Sequence, residues 1–599
     1  MCGIVGYLGT LEAMPVLFDL LKRLEYRGYD SAGIAIAGNS IRTSKTKGSV
    51  DDLVSVTPNV HGNIGIGHTR WATHGRPTSA NAHPHCDDAR GIAVVHNGII
   101  ENYNEIKERL IGRGYEFRSE TDTEVLPHLF GEHYCGDLEA SVREALSDVR
   151  GSYALAAICE SEPDKIVVAR KGSPLVLGVC GSDFFVASDV AGILKYTRDV
   201  IFVEDGEIGV ITGDGIRLTT FDGTPVERDV ETMDLDPEAA EMSGYEHFML
   251  KEIFEQPAVI RETFSGRVSS GGIDLDLGMD LRDVERIVVL ACGTSHNAGL
   301  FGRYAIERFS KIPVVVEVAS EFRYMNPIID DRDLVVAITQ SGETADTLAA
   351  MREAGSRGCK KLGIVNVLGS GMTRECKCLF TRAGPEIGVA ATKSFTSQLA
   401  VLLLLSVALG SDRKVLSTAS VNEFVYELRQ LGGNIQRVLN DAPAIKECAA
   451  LFTDADRFLF MGRGANYPIA LEGALKLKEI SYVPAEGFPA GELKHGPLAL
   501  ISEGVPVIAI ATRDTVYDKL LGNIKEVEAR GATVVGIASE GDTEITKYVN
   551  YVLRIPDTNP LIAPILSSVV LQLFAYYVAY HRGCEIDKPR NLAKSVTVE

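Results

Sequence analysis

Along the first 230 residues, apolar positions come in short runs punctuated by glycine and polar residues. Examples are Gly33-Ile-Ala-Ile-Ala37, Ile92-Ala-Val-Val95, Tyr153-Ala-Leu-Ala-Ala-Ile158 and Lys165-Ile-Val-Val-Ala169. Runs of this length and alternation predict many strands and few helices, hence antiparallel sheets in an α+β domain over residues 2–230. The acidic stretch from Glu231 to Glu246 predicts a linker that leads into helical segments up to residue 280. After that the texture changes. Apolar strands of about five residues alternate with helical patterns, the signature of a doubly wound α/β parallel sheet. This half also repeats: Arg286–Gly293 matches Arg457–Gly464, Val335–Ile338 matches Val507–Ile510, and Gly363-Ile364 matches Gly536-Ile537, in one order at nearly one spacing. Two copies of a single αβα domain are expected, over 281–430 and 445–585, followed by a tail at 586–599.

Composition narrows the function classes. A chain of 599 residues exceeds one hydrophobic core, and 45% hydrophobic with 24% charged residues describes a folded protein. The formal net charge of -21 argues against a nucleic-acid partner or an anionic membrane surface. A small anionic substrate then needs a local site, such as N–H groups at a helix N-terminus. The eleven cysteines are odd in number and scattered, which is no disulfide framework and predicts a cytoplasmic setting. Cys376 and Cys378 lack the spacing and companions of a zinc site, so no metal is expected. The start, Met1-Cys-Gly-Ile-Val-Gly6, has neither part of a signal peptide. Asn559–Tyr580 approaches membrane-spanning length, but Pro564, Ser567, Ser568 and Gln572 interrupt it and no comparable second stretch is recognised. A buried helix is expected there.

Candidate chemistry begins at Cys2. Removal of Met1 would leave a thiol beside a free α-amine, whose pKa of about 7.7–8.0 lets it accept the thiol proton near neutral pH. Amide hydrolysis by such a thiol also needs an oxyanion hole and groups that hold an amino acid. His68-Thr-Arg-Trp-Ala-Thr-His74 offers the Arg70 guanidinium for a carboxylate. His96-Asn97-Gly98, after a strand ending at Val95, reads as a tight loop with a side-chain amide and a glycine N–H. Ser119–Glu124 supplies Asp122 for an ammonium group. Singly, Arg70 is more often a surface charge, Asn97 a turn residue and Asp122 a helix cap. Together with Cys2 they resemble the N-terminal-nucleophile glutamine amidotransferases. The same resemblance runs through Leu24–Ser31 and Asn81-Ala-His-Pro-His85 and covers essentially residues 1–230. It implies an αββα hydrolase fold, Cys2 as nucleophile, and Asn97 and Gly98 as oxyanion hole. It also implies Arg70, Thr73, His74, His83 and Asp122 as glutamine contacts, and Trp71 as the gate of an ammonia passage.

In the first repeat, Ala337-Ile-Thr-Gln-Ser-Gly-Glu-Thr344 runs from an apolar strand into a hydroxyl-rich loop before a helix starting near Ala345. Cys292-Gly-Thr-Ser295 ends another strand with the same chemistry. On parallel strands both loops fall at the carboxyl edge of the sheet, which suits a phosphate, although a plain helix cap has the same pattern. These loops resemble the sugar isomerase (SIS) domain. The whole chain resembles the isomerising glutamine:fructose-6-phosphate amidotransferases, also through Glu386–Lys393, Leu471–Tyr482, Gly491–Pro497 and the tail Asp587–Glu599. Thr339 and Ala391 stand where that family commonly has serine.

The resemblance implies L-glutamine and fructose 6-phosphate as substrates, and glucosamine 6-phosphate with L-glutamate as products, at the first step of amino-sugar synthesis. It implies no cofactor and a homodimer through the SIS domains. Thr294, Ser295, Thr339, Gln340, Ser341, Thr344 and Val389 would hold the sugar phosphate, and Glu479 would move a proton between C1 and C2. Lys476 would assist, His495 would open the ring from the partner subunit, and Lys594 would form a Schiff base. Glu472, Lys476 and Glu479 share a helix face by spacing, which taken alone is more often a solvated stripe. Among rivals, Ser270-Gly-Gly-Ile-Asp274 fails as an ATP-pyrophosphatase loop, lacking a preceding apolar strand and carrying Leu275 where a serine is needed. A phosphoribosyl-diphosphate site finds no acidic pair after a strand. A non-catalytic phosphosugar sensor would have no use for Cys2, Glu479, His495 and Lys594 together.

Overall fold

The structure is a computed structural model that describes residues 2–38, 40–71, 75–233, 242–269 and 272–597. The chain divides into two compact units. One comprises Met1–Glu241 with Glu343–Ala345 and Ala593–Glu599, the other Met242–Gly342 with Asp346–Leu592.

In the first unit, an eight-stranded and a seven-stranded antiparallel sheet face one another. Gly3–Leu8 pairs with Ile64–Arg70 and Asp183–Ala187 in one sheet, and Ile92–Ile100 pairs with Gly151–Cys159 in the other. Alternate residues point inward, so Ile4 and Ile66 of one sheet share a core with Val95, Ala156 and Val168 of the other. The outer faces are covered by helices. Leu17, Leu21 and Leu24 of the helix Ala13–Leu24 approach the sheet closely because Gly65, Gly67 and Gly3 stand opposite them. Each buried leucine contributes roughly 1.5–3 kcal/mol relative to exposure. Tyr103–Gly112, Val125–His133 and Leu138–Leu146 cover the other sheet, which completes four layers, αββα.

The second unit contains the expected duplication. Its two five-stranded sheets are parallel throughout and share one strand order. The first runs Val314–Val318, Arg286–Ala291, Asp333–Thr339, Lys360–Val365, Lys377–Phe380. The second runs Ala485–Pro489, Phe458–Gly462, Pro506–Ile510, Thr533–Ser539, Tyr551–Ile555. In each sheet the strand order reverses beside the first strand in sequence, and loops leaving that point are where ligands bind in such folds.

Among the described residues two helices, Lys393–Asp412 and Ala563–His581, are long and apolar enough to cross a membrane, and about nine-tenths of each is buried in the unit. This corrects the expectation of a single such stretch. Ser394, Thr396, Ser397 and Gln398 dilute the start of Lys393–Asp412, and only the helix length reveals that Leu399–Leu405 continues it. Thr418–Asn440 packs one face through Phe424, Leu428, Leu431 and Ile435 and runs unbroken across position 430.

Candidate active sites

Cys2 precedes the central strand Gly3–Leu8 of the first unit, and its neighbours come from distant segments. The Asn97 side-chain amide donates to the Cys2 carbonyl at 3.0 Å, and the Arg27 guanidinium donates to the same oxygen at 3.3 Å. The Trp71 N–H donates to the Cys2 sulfur at 3.3 Å. Asn97 is itself held, because its side-chain oxygen accepts from His68 Nε2 at 3.0 Å.

Asn97 and Gly98 do not form a loop. The strand runs on from Ile92 to Ile100, with Gly98 at φ +132, where a Cβ would lie 2.0 Å from the Ser152 carbonyl oxygen. A glycine lets the chain take this conformation beside Asn97 without leaving the sheet, a possibility the run ending at Val95 concealed.

Arg70 ends the strand Ile64–Arg70, almost enclosed, and donates to the Gly75 carbonyl at 3.3 Å. Burial lowers its pKa, opposed by the nearby Cys2, Asp122 and Asp30. Asp122 is buried and accepts the Ile100 N–H at 2.8 Å. His83 lies in a wall of imidazoles, 4.1 Å from the His68 ring and 4.9 Å from His85, and its Nδ1 accepts the His96 N–H. Burial keeps all four rings neutral, pushing His68 down to about 3 and lowering His83, His85 and His96. Thr73 and His74 lie outside the described residues. Arg27 and His68 were missed as contributors. Both lie inside the motifs that carried the resemblance, but only the folded sheet shows what they touch.

In the second unit, Glu472, Lys476 and Glu479 lie on the helix Tyr467–Ser481. They are a buried ion cluster rather than a solvated stripe, with Lys476 only 1% exposed. Lys476 Nζ is 2.7 Å from Glu479 and 3.4 Å from Glu472. Thr294 ties the two repeats together: its hydroxyl donates to Glu472 at 3.0 Å and accepts from Lys476 at 3.0 Å, while Asn297 donates to Glu472 at 2.8 Å. Burial depresses the lysine pKa, but Glu479 and Glu472 outweigh it and hold it protonated. Burial raises Glu472 more than Lys476 lowers it.

The two hydroxyl-rich loops leave adjacent strands at the expected edge. Gly293 and Gly464, at matching places in the two repeats, have φ +52 and +55. In the first repeat, Ser295 accepts from Gln398 at 3.0 Å, and Thr339 accepts the Gly342 N–H at 3.3 Å. Gln340 and Ser341 are half-buried in the turn, and Thr344 directly precedes the helix Ala345–Ser356. The Val389 N–H donates to the Asp587 carbonyl at 3.0 Å. His495 is not in a loop but ends the short helix Ala490–His495, held there by buried Ala490 and Leu493. It is exposed, and among the described residues no hydrogen bond joins it to Glu479. Lys594 is half-buried in the tail, where the Ala345 N–H donates to the Val596 carbonyl at 3.1 Å.

Comparison with known proteins agrees with this division. A glutamine amidotransferase domain model matches residues 68–195, and a SIS domain model matches 280–408 and 451–582. Proteins named glutamine–fructose-6-phosphate aminotransferase (isomerizing) from Methanosarcina acetivorans and Thermus thermophilus are 54% and 50% identical, each over the whole of both chains. The solved C-terminal domain of glucosamine-fructose-6-phosphate aminotransferase from Francisella tularensis is 39% identical. It covers 57% of this chain and 99% of that one, with a TM-score of 0.55. With an antiparallel glutaminase-type unit preceding two SIS domains, and full-length identity of this order, the chain belongs to the isomerising glutamine–fructose-6-phosphate aminotransferase family.

Proposed function

We propose that the chain hydrolyses L-glutamine at Cys2 and uses the ammonia to convert fructose 6-phosphate into glucosamine 6-phosphate. With Met1 removed, the α-amine accepts the thiol proton and Cys2 sulfur attacks the glutamine amide carbon. One Asn97 side-chain N–H is committed to the Cys2 carbonyl, which leaves the second, with the Gly98 N–H, for the oxyanion. The amine returns the proton to the leaving ammonia, and water releases glutamate from the thioester. Arg70 and Asp122 carry charges that complement the glutamine carboxylate and ammonium, with Thr73, His74 and His83 as further contacts and Trp71 as the ammonia gate.

At the acceptor, the Thr294–Ser295 and Thr339–Thr344 loops receive the phosphate and the Val389 carbonyl a sugar hydroxyl. His495, donated by the partner subunit of a homodimer, opens the ring. Lys594 forms the Schiff base that ammonia displaces, and Glu479 takes the C1 proton and returns it at C2. The buried Lys476 beside Glu479 carries this assignment, because it fixes the base and supplies positive charge next to a developing enolamine. The chemistry is redox-neutral and uses side chains alone, with no cofactor, in a cytoplasmic enzyme without nucleic-acid or membrane partners. Glutamine labelled with 15N in its amide tests the scheme: the label appears in glucosamine 6-phosphate, whereas label released only as free ammonia would leave a glutaminase with another acceptor.

A further inference from the structure

We infer that His68 is a positioning residue of the glutaminase step, holding the Asn97 amide in the orientation that places one N–H on the Cys2 carbonyl and leaves the other for the oxyanion. The inference rests on the glutaminase role proposed for Cys2 and Asn97. His68 lies on the strand Ile64–Arg70, which pairs with Gly3–Leu8 so that His68 stands opposite Ile4. Its Nε2 lies 3.0 Å from the Asn97 side-chain oxygen and 3.0 Å from the His96 carbonyl oxygen. Both are acceptors only, so Nε2 carries the hydrogen and is shared between them.

That bond decides which end of Asn97 faces Cys2. The two ends of a side-chain amide are nearly the same in shape, so sterics alone do not choose between them. An acceptor at His68 would pull the nitrogen away from the nucleophile; a donor pulls the oxygen away and leaves the nitrogen on the Cys2 carbonyl. The ring cannot turn to lose this role. It stacks on His83, is wholly enclosed, and its Nδ1 meets no partner among the described residues, so the Nε2–H form is the one the site accommodates.

The test is a kinetic series on the full chain: His68→Leu, which keeps bulk and removes the donor, and His68→Gln, whose amide N–H can replace it. Thermal unfolding of each variant accompanies the kinetics. His68→Leu should lower glutaminase kcat roughly 30- to 300-fold with KM for glutamine changed less than about threefold, as for loss of an oxyanion donor. His68→Gln should recover at least a third of the lost activity on a logarithmic scale. In the Asn97→Ala background, His68→Leu should cost less than about threefold further, since the residue acts through Asn97. Multiplicative losses in the double variant, a fall in kcat no larger than about threefold, or a rise in KM that accounts for the loss would overturn the inference. If His68→Leu does not fold, His68→Gln and Asn97→Ala alone decide it: a folded His68→Gln as inactive as Asn97→Ala would refute the donor role. Wild type releasing glutamate while His68→Leu does the same overturns only this inference. Wild type releasing none overturns the glutaminase role with it.

Discussion

Lys476 and Glu479 form an ion pair of 2.7 Å within one helical turn, with the ammonium fully enclosed and the carboxylate partly open to solvent. The asymmetry suits the division of labour proposed for the pair. The lysine is fixed by Glu472, Glu479 and Thr294, while the glutamate keeps an accessible edge, as the proposed proton carrier requires.

Replacing the two residues should therefore weigh differently on stability and on activity. Lys476→Met leaves Glu472 buried without its counter-charge, so the unfolding free energy of the second unit should fall by about 3–5 kcal/mol. Glu479→Gln keeps shape and removes the proposed base, so synthesis should drop at least a hundredfold, while Glu472 at 3.4 Å still neutralises Lys476 and the loss of stability should be smaller than for Lys476→Met. Urea titration and product formation measure the two effects independently.

Gly98→Ala should abolish glutaminase activity. The added Cβ meets the Ser152 carbonyl oxygen at 2.0 Å in a backbone conformation closed to alanine, so either the strand shifts or the oxyanion N–H turns away. Synthesis from fructose 6-phosphate and ammonium ion should persist, and its loss would show damage beyond the glutaminase.

Acid should unfold the first unit. His68, folded near 3 against 6.5 unfolded, and its lowered neighbours His83, His85 and His96 bind fewer protons when native. Their stability contribution is complete above pH 6.5 and is lost as pH falls below it; for His68 the loss runs toward pH 3 at about 1.4 kcal/mol per pH unit, and His83, His85 and His96 act in the same direction. Hydrogen exchange followed from pH 7 to 4.5 should show the strands Ile64–Arg70 and Ile92–Ile100 losing protection, and unchanged protection would contradict the neutral wall.

Asp587→Ala should loosen the second unit by about 1 kcal/mol, because its carboxylate accepts the Phe248 and Met249 N–H groups at 2.8 and 2.9 Å at the start of a seventeen-residue helix. A thermal melt reads this directly.

Periodicity made much of this molecule legible. The repeat was visible because both sheets use the same short apolar strands at the same places, and Glu472, Lys476 and Glu479 were placed on one face by helical spacing alone. Burial was not legible. What closes that face into a buried cluster is Thr294, which is distant in sequence and arrives only when the two repeats pack. Asn97 was found as chemistry but misplaced as structure, since a strand that continues through a glycine at positive φ looks like a strand that ends. His68 escaped for a related reason: a histidine inside an alternating strand has nothing local to mark the amide it will meet across the sheets.

The most direct measurement supplies wild type and Cys2→Ala with fructose 6-phosphate and either glutamine or ammonium ion, and quantifies glutamate and glucosamine 6-phosphate by mass spectrometry. Coupled transfer predicts equal amounts of both products from wild type with glutamine, and a Cys2→Ala variant that makes the amino sugar from ammonium ion alone. Glutamine-driven synthesis surviving in Cys2→Ala, or glutamate without amino sugar in wild type, would contradict it.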